Sequence, residues 1–195
     1  MNEVYTKPRT GDEMQRATGG VPIALYSRVC DLVDRYGVGR VLSHMFSKSP
    51  KWIILLQNPK KMNSGHWLGL EIFPATKEIM FFSSYGGKPD VEKLEWIPED
   101  LQILSSQNTN ALNDGLKLMA HRGWTVHYND HPFQFEGDNT ATCGIWTAAF
   151  LNSGMNPEAF YYYSMFNNYG PEEYFQMYFS GRNDCRKTEN TEVKV

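Results

Sequence analysis

The chain has 195 residues, of which 41% are hydrophobic, 14% aromatic and 21% charged, enough apolar material for the core of one domain and too much for a largely disordered chain. Nineteen Lys and Arg against 22 Asp and Glu leave a net charge of -3, little field to attract polyphosphate, and Cys30, Cys143 and Cys185 are too scattered for a disulfide framework. No apolar run approaches the roughly 18–20 residues that cross a bilayer, and the polar start lacks the apolar core of an export signal, so neither a membrane nor a secretory route is expected.

Residues 1 to about 20 carry no periodic apolar face and end in Gly19-Gly20, which predicts a mobile lead-in. Pro22 opens a helix, in which Tyr26, Val29, Cys30, Val33 and Tyr36 form one stripe of a 3.6-residue repeat that stops at Gly37. A short helical stretch over 41–46 leads to KWIILLQ at 51–57, a β-branched run suited to a strand covered on both faces. Residues 65–73 and 78–83 read as strands and PATK between them as a turn, which makes a hairpin. With Phe73 opposite Glu78, antiparallel pairing puts Leu68 opposite Ser83 and His66 opposite Tyr85. Residues 113–121 read as a short helix, 124–128 as a strand, and HPFQFEGDNTAT as the loop that follows. Cys143 opens CGIWTAAFLN, a helix apolar nearly all round and hence central, which SGMNP brings to a stop. The aromatic run 160–166 is assigned to the core, GPEEYFQMYFSG holds a last helix, and residues 183–195 read as a second mobile end. With no linker-like break, the whole of 1–195 is expected to be one domain.

Three residues carry the chemistry when taken together. His66 opens a strand, Ser83 ends its neighbour, and Cys143 opens the central helix. A thiol in the first helical turn meets the positive end of the macrodipole and unpaired backbone N–H groups, and both favour thiolate. A nearby imidazole would complete the nucleophile and base of covalent acyl transfer, with a third group holding the ring. The register puts Ser83 in that third place. The Cys143 N–H supplies one donor for a developing oxyanion, and Gln134, nine residues upstream, carries an amide that would supply another. Singly, each residue has an ordinary reading as well: a satisfied strand histidine, a small buried hydrophobe, a solvated loop glutamine. His127, Asp130 and His131 have zinc-like spacing but leave a strand and end at Pro132, so they are read as loop. Lys48, Lys51, Lys60 and Lys61 are read as a solvated face, and Gly86-Gly87-Lys88 lacks the flanks of a phosphate loop.

The order NSGHW at 63–67, FFSSYG at 81–86, Gln134 and TCGIW at 142–146 resembles the adenain and ubiquitin-like-protein protease clan of cysteine peptidases. Within that clan it is most similar to the capsid-maturation proteases of adenoviruses, virophages and Polinton-type elements, over about residues 50 to 153. The resemblance implies an α+β, papain-like (adenain-like) domain, a small mixed β-sheet packed against the central helix that starts at the nucleophile. It implies Cys143 as nucleophile, His66 as general base, Gln134 as oxyanion donor and Trp67 packed beside the imidazole, with no cofactor and no metal. The implied substrates are capsid or other virion precursor proteins cut after small, Gly-type residues, in the virion and the host-cell cytoplasm or viral factory.

Two features depart from the clan. Its third residue is usually acidic, and Ser83 stands in that position, so either the pair works as a dyad or another acceptor, such as Glu71 or an Asn, serves. The interval from Gln134 to Cys143 is also longer than usual, which an excursion through EGDNT would absorb. Gly19-Gly20 is a conceivable self-processing site, and a peptide or DNA activator, which adenoviral relatives use, stays open, with the charge of -3 weighing against DNA. Two other readings stand beside the viral protease: a deconjugating protease for a ubiquitin-like modifier, and a catalytically inactive binding module of the same fold.

Overall fold

KWIILLQ is apolar on both faces because both are covered. The computed structural model describes residues 3–60, 65–91, 93, 97–134 and 140–181, and among them five strands form one sheet in the order β1-β2-β3-β4-β5. Strand β1 (Ile23–Leu25) runs parallel to β2 (Lys51–Gln57), which pairs antiparallel with β3 (Gly65–Phe73), which in turn pairs antiparallel with β4 (Glu78–Ser83). β5 (Thr125–Tyr128) adds parallel to β4. Phe73 faces Glu78 and Leu68 faces Ser83, the register that the constant-sum rule requires.

Strand alternation sends His66, Leu68, Leu70 and Ile72 to one face and Trp67, Gly69 and Glu71 to the other. On the His66 face, Ile54, Leu56, Leu68, Leu70, Ile79 and Phe81 share a core with α3 (Tyr26–Tyr36), α4 (Val38–Lys48) and α6 (Ala111–His121), which α5 (Glu99–Leu104) precedes. On the Trp67 face, Ile53, Met80 and Phe82 pack with α7 (Cys143–Ser153), α8 (Pro157–Phe166) and α9 (Pro171–Tyr178). The mixed sheet therefore lies on a central helix, as expected, and also carries a second helical layer on its other face. Every residue of α7 from Gly144 to Leu151 is buried, and Gly154 ends the helix in the left-handed conformation at φ 64°. A Cβ on Gly69 would come within 3.3 Å of Phe150, so glycine lets this helix close on β3. Among the described residues, no helix is long and apolar enough to cross a membrane.

Three sequence expectations are corrected. The lead-in of residues 1–20 instead holds α1 (Glu3–Thr6) and α2 (Gly11–Ala17), the latter with a Thr10–Glu13 capping box. Among its described residues, Val4, Met14 and Ala17 join the core, too sparsely to show as a stripe, yet Met14 is fully buried. Pro22 opens no helix: Ile23–Leu25 pairs with β2 and the helix starts at Tyr26. The aromatic run is not mostly core, since Phe160 is buried while Tyr162, Tyr163, Met165 and Phe166 are exposed, Phe166 at 88%. A run with no period, placed on a helix, must point some of its rings outward.

α1, α2 and the link between them lie along α7 and touch the chain at both of its ends. The Ala141 N–H donates to the Tyr5 carbonyl at 2.6 Å, the Trp67 indole N–H to the Arg9 carbonyl at 3.1 Å, and the Asn152 amide to the Ala17 carbonyl at 2.8 Å. The buried Arg9 stem fills the space where a Cβ on Gly144 would lie 2.9 Å away, and its guanidinium sits 5.0 Å over the Phe175 ring.

A separate polar cluster is buried in the other helical layer. The Tyr26 hydroxyl donates to Asp90, the Lys93 ammonium to the Thr109 carbonyl, and the Asn113 N–H to Asp90 Oδ2 at 2.8 Å. Lys93 Nζ lies 3.9 Å from Asp90 Oδ1, with both side chains nearly inaccessible. Burial pulls the Lys93 ammonium below its ordinary pKa against the pull of Asp90, and pushes the Asp90 carboxyl up despite its hydrogen bonds.

Candidate active site

β3 enters the sheet at Gly65 and β4 leaves it at Ser83, so His66 and Ser83 meet at one end of the hairpin. Both are buried, and His66 Nε2 lies 2.9 Å from Ser83 Oγ. The Tyr85 N–H donates to the same Oγ at 3.3 Å, and the Tyr85 ring rests against the imidazole with centroids 4.7 Å apart. A hydroxyl oxygen has two lone pairs, and with one taken by Tyr85 the other suits an N–H of the ring. An Nε2–H that donates to Ser83 is the tautomer that leaves Nδ1 for exchange with a thiol.

That thiol is Cys143, half-buried at the first position of α7. Burial acts to raise its pKa, but the hydrogen bond and charge of His66, with the backbone N–H groups of Trp67 and Gly144, outweigh it, and the thiol lies below its ordinary value. The thiol at the helix start is therefore shifted toward thiolate against the cost of desolvation.

Gln134 reaches the same helix start through Thr142, whose hydroxyl donates to Gln134 Oε1 at 2.6 Å. The Phe133 and Gln134 N–H groups both donate to the Ser84 carbonyl, at 2.8 and 3.1 Å, so the loop is pinned to the end of β4. With its oxygen committed to Thr142, the buried side chain keeps its NH2 as the donor end. The structure brings His66, Ser83, Cys143 and Gln134 together at one end of the sheet, although 135–139, which hold most of the EGDNT excursion, lie outside the described residues.

Other expectations separate from this cluster. Trp67 does not pack beside the imidazole: adjacent strand residues point to opposite faces, its ring joins the α7 core, and Tyr85 takes the place against His66. Glu71 is on the far face, 2.9 Å from Lys51, so it is not the third group. Lys51 in turn donates to the Leu151 carbonyl at 2.5 Å and is part of that packing rather than of a solvated basic face, while Lys61 lies outside the described residues, as does Cys185. His127 is 3.2 Å from Glu78, and His131 stacks on Tyr161 with centroids 4.5 Å apart, so the two imidazoles have separate partners. Among the described residues, no group of three or more His, Cys, Asp or Glu could hold a metal ion. Gly19-Gly20 follows α2, whose end is tied to Asn152, about 14 Å along α7 from Cys143 at 1.5 Å per residue. Cleavage there by the same chain would require this segment to leave its place.

Sequence reasoning placed Tyr85 opposite His66 but gave it no role, and it missed Thr142 and Asn129. Asn129 follows β5 and its side chain brackets Ser83, accepting the Ser83 N–H at 3.1 Å and donating to the Ser83 carbonyl at 2.6 Å. An asparagine after a strand is an ordinary turn residue, so nothing local marked it.

No family model and no curated protein matches the sequence. Solved structures with some likeness include a SUMO protease Ulp1 with its catalytic cysteine oxidized to a sulfenic acid, at 15% identity and a TM-score of 0.37, covering 73% of this chain and 62% of that one. They also include the Legionella pneumophila effector protein RavZ, at 15% identity and a TM-score of 0.25, covering 66% of this chain and 37% of that one. This chain thus spans less than two thirds of either. At such TM-scores neither likeness carries weight, and what stands is a mixed α+β fold with a thiol, an imidazole, a hydroxyl and an amide gathered at one end of its sheet.

Proposed function

We propose that the protein is a cysteine peptidase with Cys143 as nucleophile and His66 as general base. His66 Nδ1 takes the thiol proton, and the thiolate, held by the Trp67 and Gly144 N–H groups, attacks the scissile carbonyl carbon. The oxyanion is received by the Cys143 N–H and the Gln134 NH2. The imidazolium then protonates the leaving amine, and a water deprotonated by His66 releases the acyl group as a carboxylic acid. Ser83 holds Nε2 throughout and steadies the ring by direction, not by charge.

The observation that carries this reading is a thiol shifted toward its charged form in spite of burial, in contact with an imidazole whose other nitrogen is occupied. It weighs against the inactive binding module, which has no need of a thiolate. For substrates, the resemblance of the four motifs to capsid-maturation proteases supports viral precursor proteins cut after Gly-type residues, in the infected cell and the virion. A deconjugase would use the same machinery and differ only in what it cleaves.

The test is the rate of Cys143 alkylation from pH 4 to 9, followed by mass spectrometry in wild type and His66→Ala. The folded thiol pKa lies below its ordinary value, so the reaction persists as pH falls through the range, near ~8.5, where an unperturbed thiol protonates. In His66→Ala only burial and the two N–H groups remain, and the rate at pH 6 falls by about two orders of magnitude or more. A wild-type thiol that titrates like a free one withdraws the proposal. Cleavage of a Gly-Gly-containing precursor against a ubiquitin-like conjugate then decides the substrate.

A further inference from the structure

The paired backbone of β4 and β5 runs out at Phe81 and Tyr128, and at Ser83, two residues further on and fully buried, the carbonyl accepts the Gly86 N–H at 3.1 Å. Asn129 bonds both the N–H and the C=O of Ser83. Its amide repeats the donor and acceptor of a peptide group, with Oδ1 accepting from the Ser83 N–H at 3.1 Å and Nδ2 donating to the Ser83 carbonyl at 2.6 Å. Nδ2 also donates to the His131 carbonyl at 3.2 Å, and the Asn129 carbonyl accepts from the Gly87 N–H at 2.7 Å, so the bracket is itself staked on both sides. Asn129 is buried to 1% exposure and its side-chain amide stands where the next rung of the ladder would be.

We infer that Asn129 is a positioning residue for the His66 imidazole, acting through Ser83. This rests on the reading of His66 and Cys143 as base and nucleophile. An acidic third group would attract the imidazolium even when slightly misplaced, whereas a neutral hydroxyl acts by direction alone, and a hydrogen bond weakens steeply with angle. The uncharged Ser83 therefore needs its backbone fixed, and Asn129 fixes it from both sides of the peptide unit.

The experiment is ¹⁵N NMR of the His66 ring, with Cys143 alkylation at pH 6 alongside, in the full chain as wild type, Asn129→Ala, Ser83→Ala and the double variant. The wild-type neutral ring is expected to carry its proton on Nε2. Asn129→Ala should turn this single tautomer into a mixture, as Ser83→Ala does, and slow alkylation by about tenfold. In the Ser83→Ala background the same substitution should change neither readout, because a residue that acts through Ser83 has nothing left to act on. Asn129→Asp keeps the size and the acceptor but sets a carboxylate against two carbonyls, and serves in place of Asn129→Ala should that variant not fold, with the same loss expected.

A ring that keeps its Nε2 proton and a thiol that keeps its rate in Asn129→Ala would overturn the inference, as would an equal loss with and without Ser83. Failure of the peptidase reading looks different: no peptide is hydrolysed, while the tautomer still follows Asn129.

Discussion

Burial acts with opposite results on the polar cluster at the sheet end and on the one in the helical layer on the His66 face. Around Tyr26, Asp90 and Lys93, desolvation wins: the ammonium is pulled down and the carboxyl pushed up, each toward neutrality, in spite of the facing charge. At Cys143 desolvation loses, because His66 and two backbone N–H groups favour the thiolate by more than burial disfavours it. The first cluster joins Tyr26 on α3 to Asp90, the Thr109 carbonyl and the start of α6. The second shifts a half-buried thiol toward its charged form. A buried group that gives way to desolvation reports architecture, and one held against it reports chemistry.

That contrast can be broken by substitution. Asp90→Ala leaves the Lys93 ammonium buried without its carboxylate and is expected to cost about 3–5 kcal/mol of stability. Chemical denaturation checks this, with Cys143 alkylation of the folded protein at pH 6 unchanged; a fall in alkylation as large as that from His66→Ala would mean the two clusters are one. Gln134→Ala should lower peptide turnover by about 10²–10³ while sparing alkylation, because attack on a saturated carbon develops no oxyanion. Equal loss in both assays would reassign Gln134 from oxyanion donor to support of the thiol. Ser83→Ala is the smallest of the three, about a tenfold loss of alkylation below pH 7, as expected for a neutral partner that orients without charge. A loss matching His66→Ala would instead make Ser83 part of the proton transfer itself.

Much of this site was legible because its determinants are local. The hairpin register follows from a four-residue turn, and it places Ser83 beside His66 without knowledge of any other strand. The position of Cys143 follows from an apolar run that starts at the thiol and ends at a left-handed glycine. What escaped depends on contacts distant in sequence. Asn129 meets Ser83 across 46 positions, and neither residue type announces the meeting. α1 and α2 show a capping box but little apolar face of their own, since their role is to lie on α7. Trp67 is a different case: strand alternation alone puts it opposite His66, and the resemblance, which implied a neighbouring ring, pointed the other way. The exposed rings of α8 were missed because hydrophobic character was read without a period.

The clasp of α1 and α2 on α7 bears on when the site can exist. Asn152 meets Ala17 across 135 positions, and the Arg9 stem lies in the notch at Gly144, in the turn that Cys143 opens. Contacts this far apart in sequence form late in folding, after loop closure has been overcome. On a ribosome, His66 and its hairpin can pair long before Cys143 has been synthesised, so the base waits for the nucleophile, and the early segment must stay undocked until α7 emerges to receive it. The thiol therefore meets its imidazole only after most of the chain has been made.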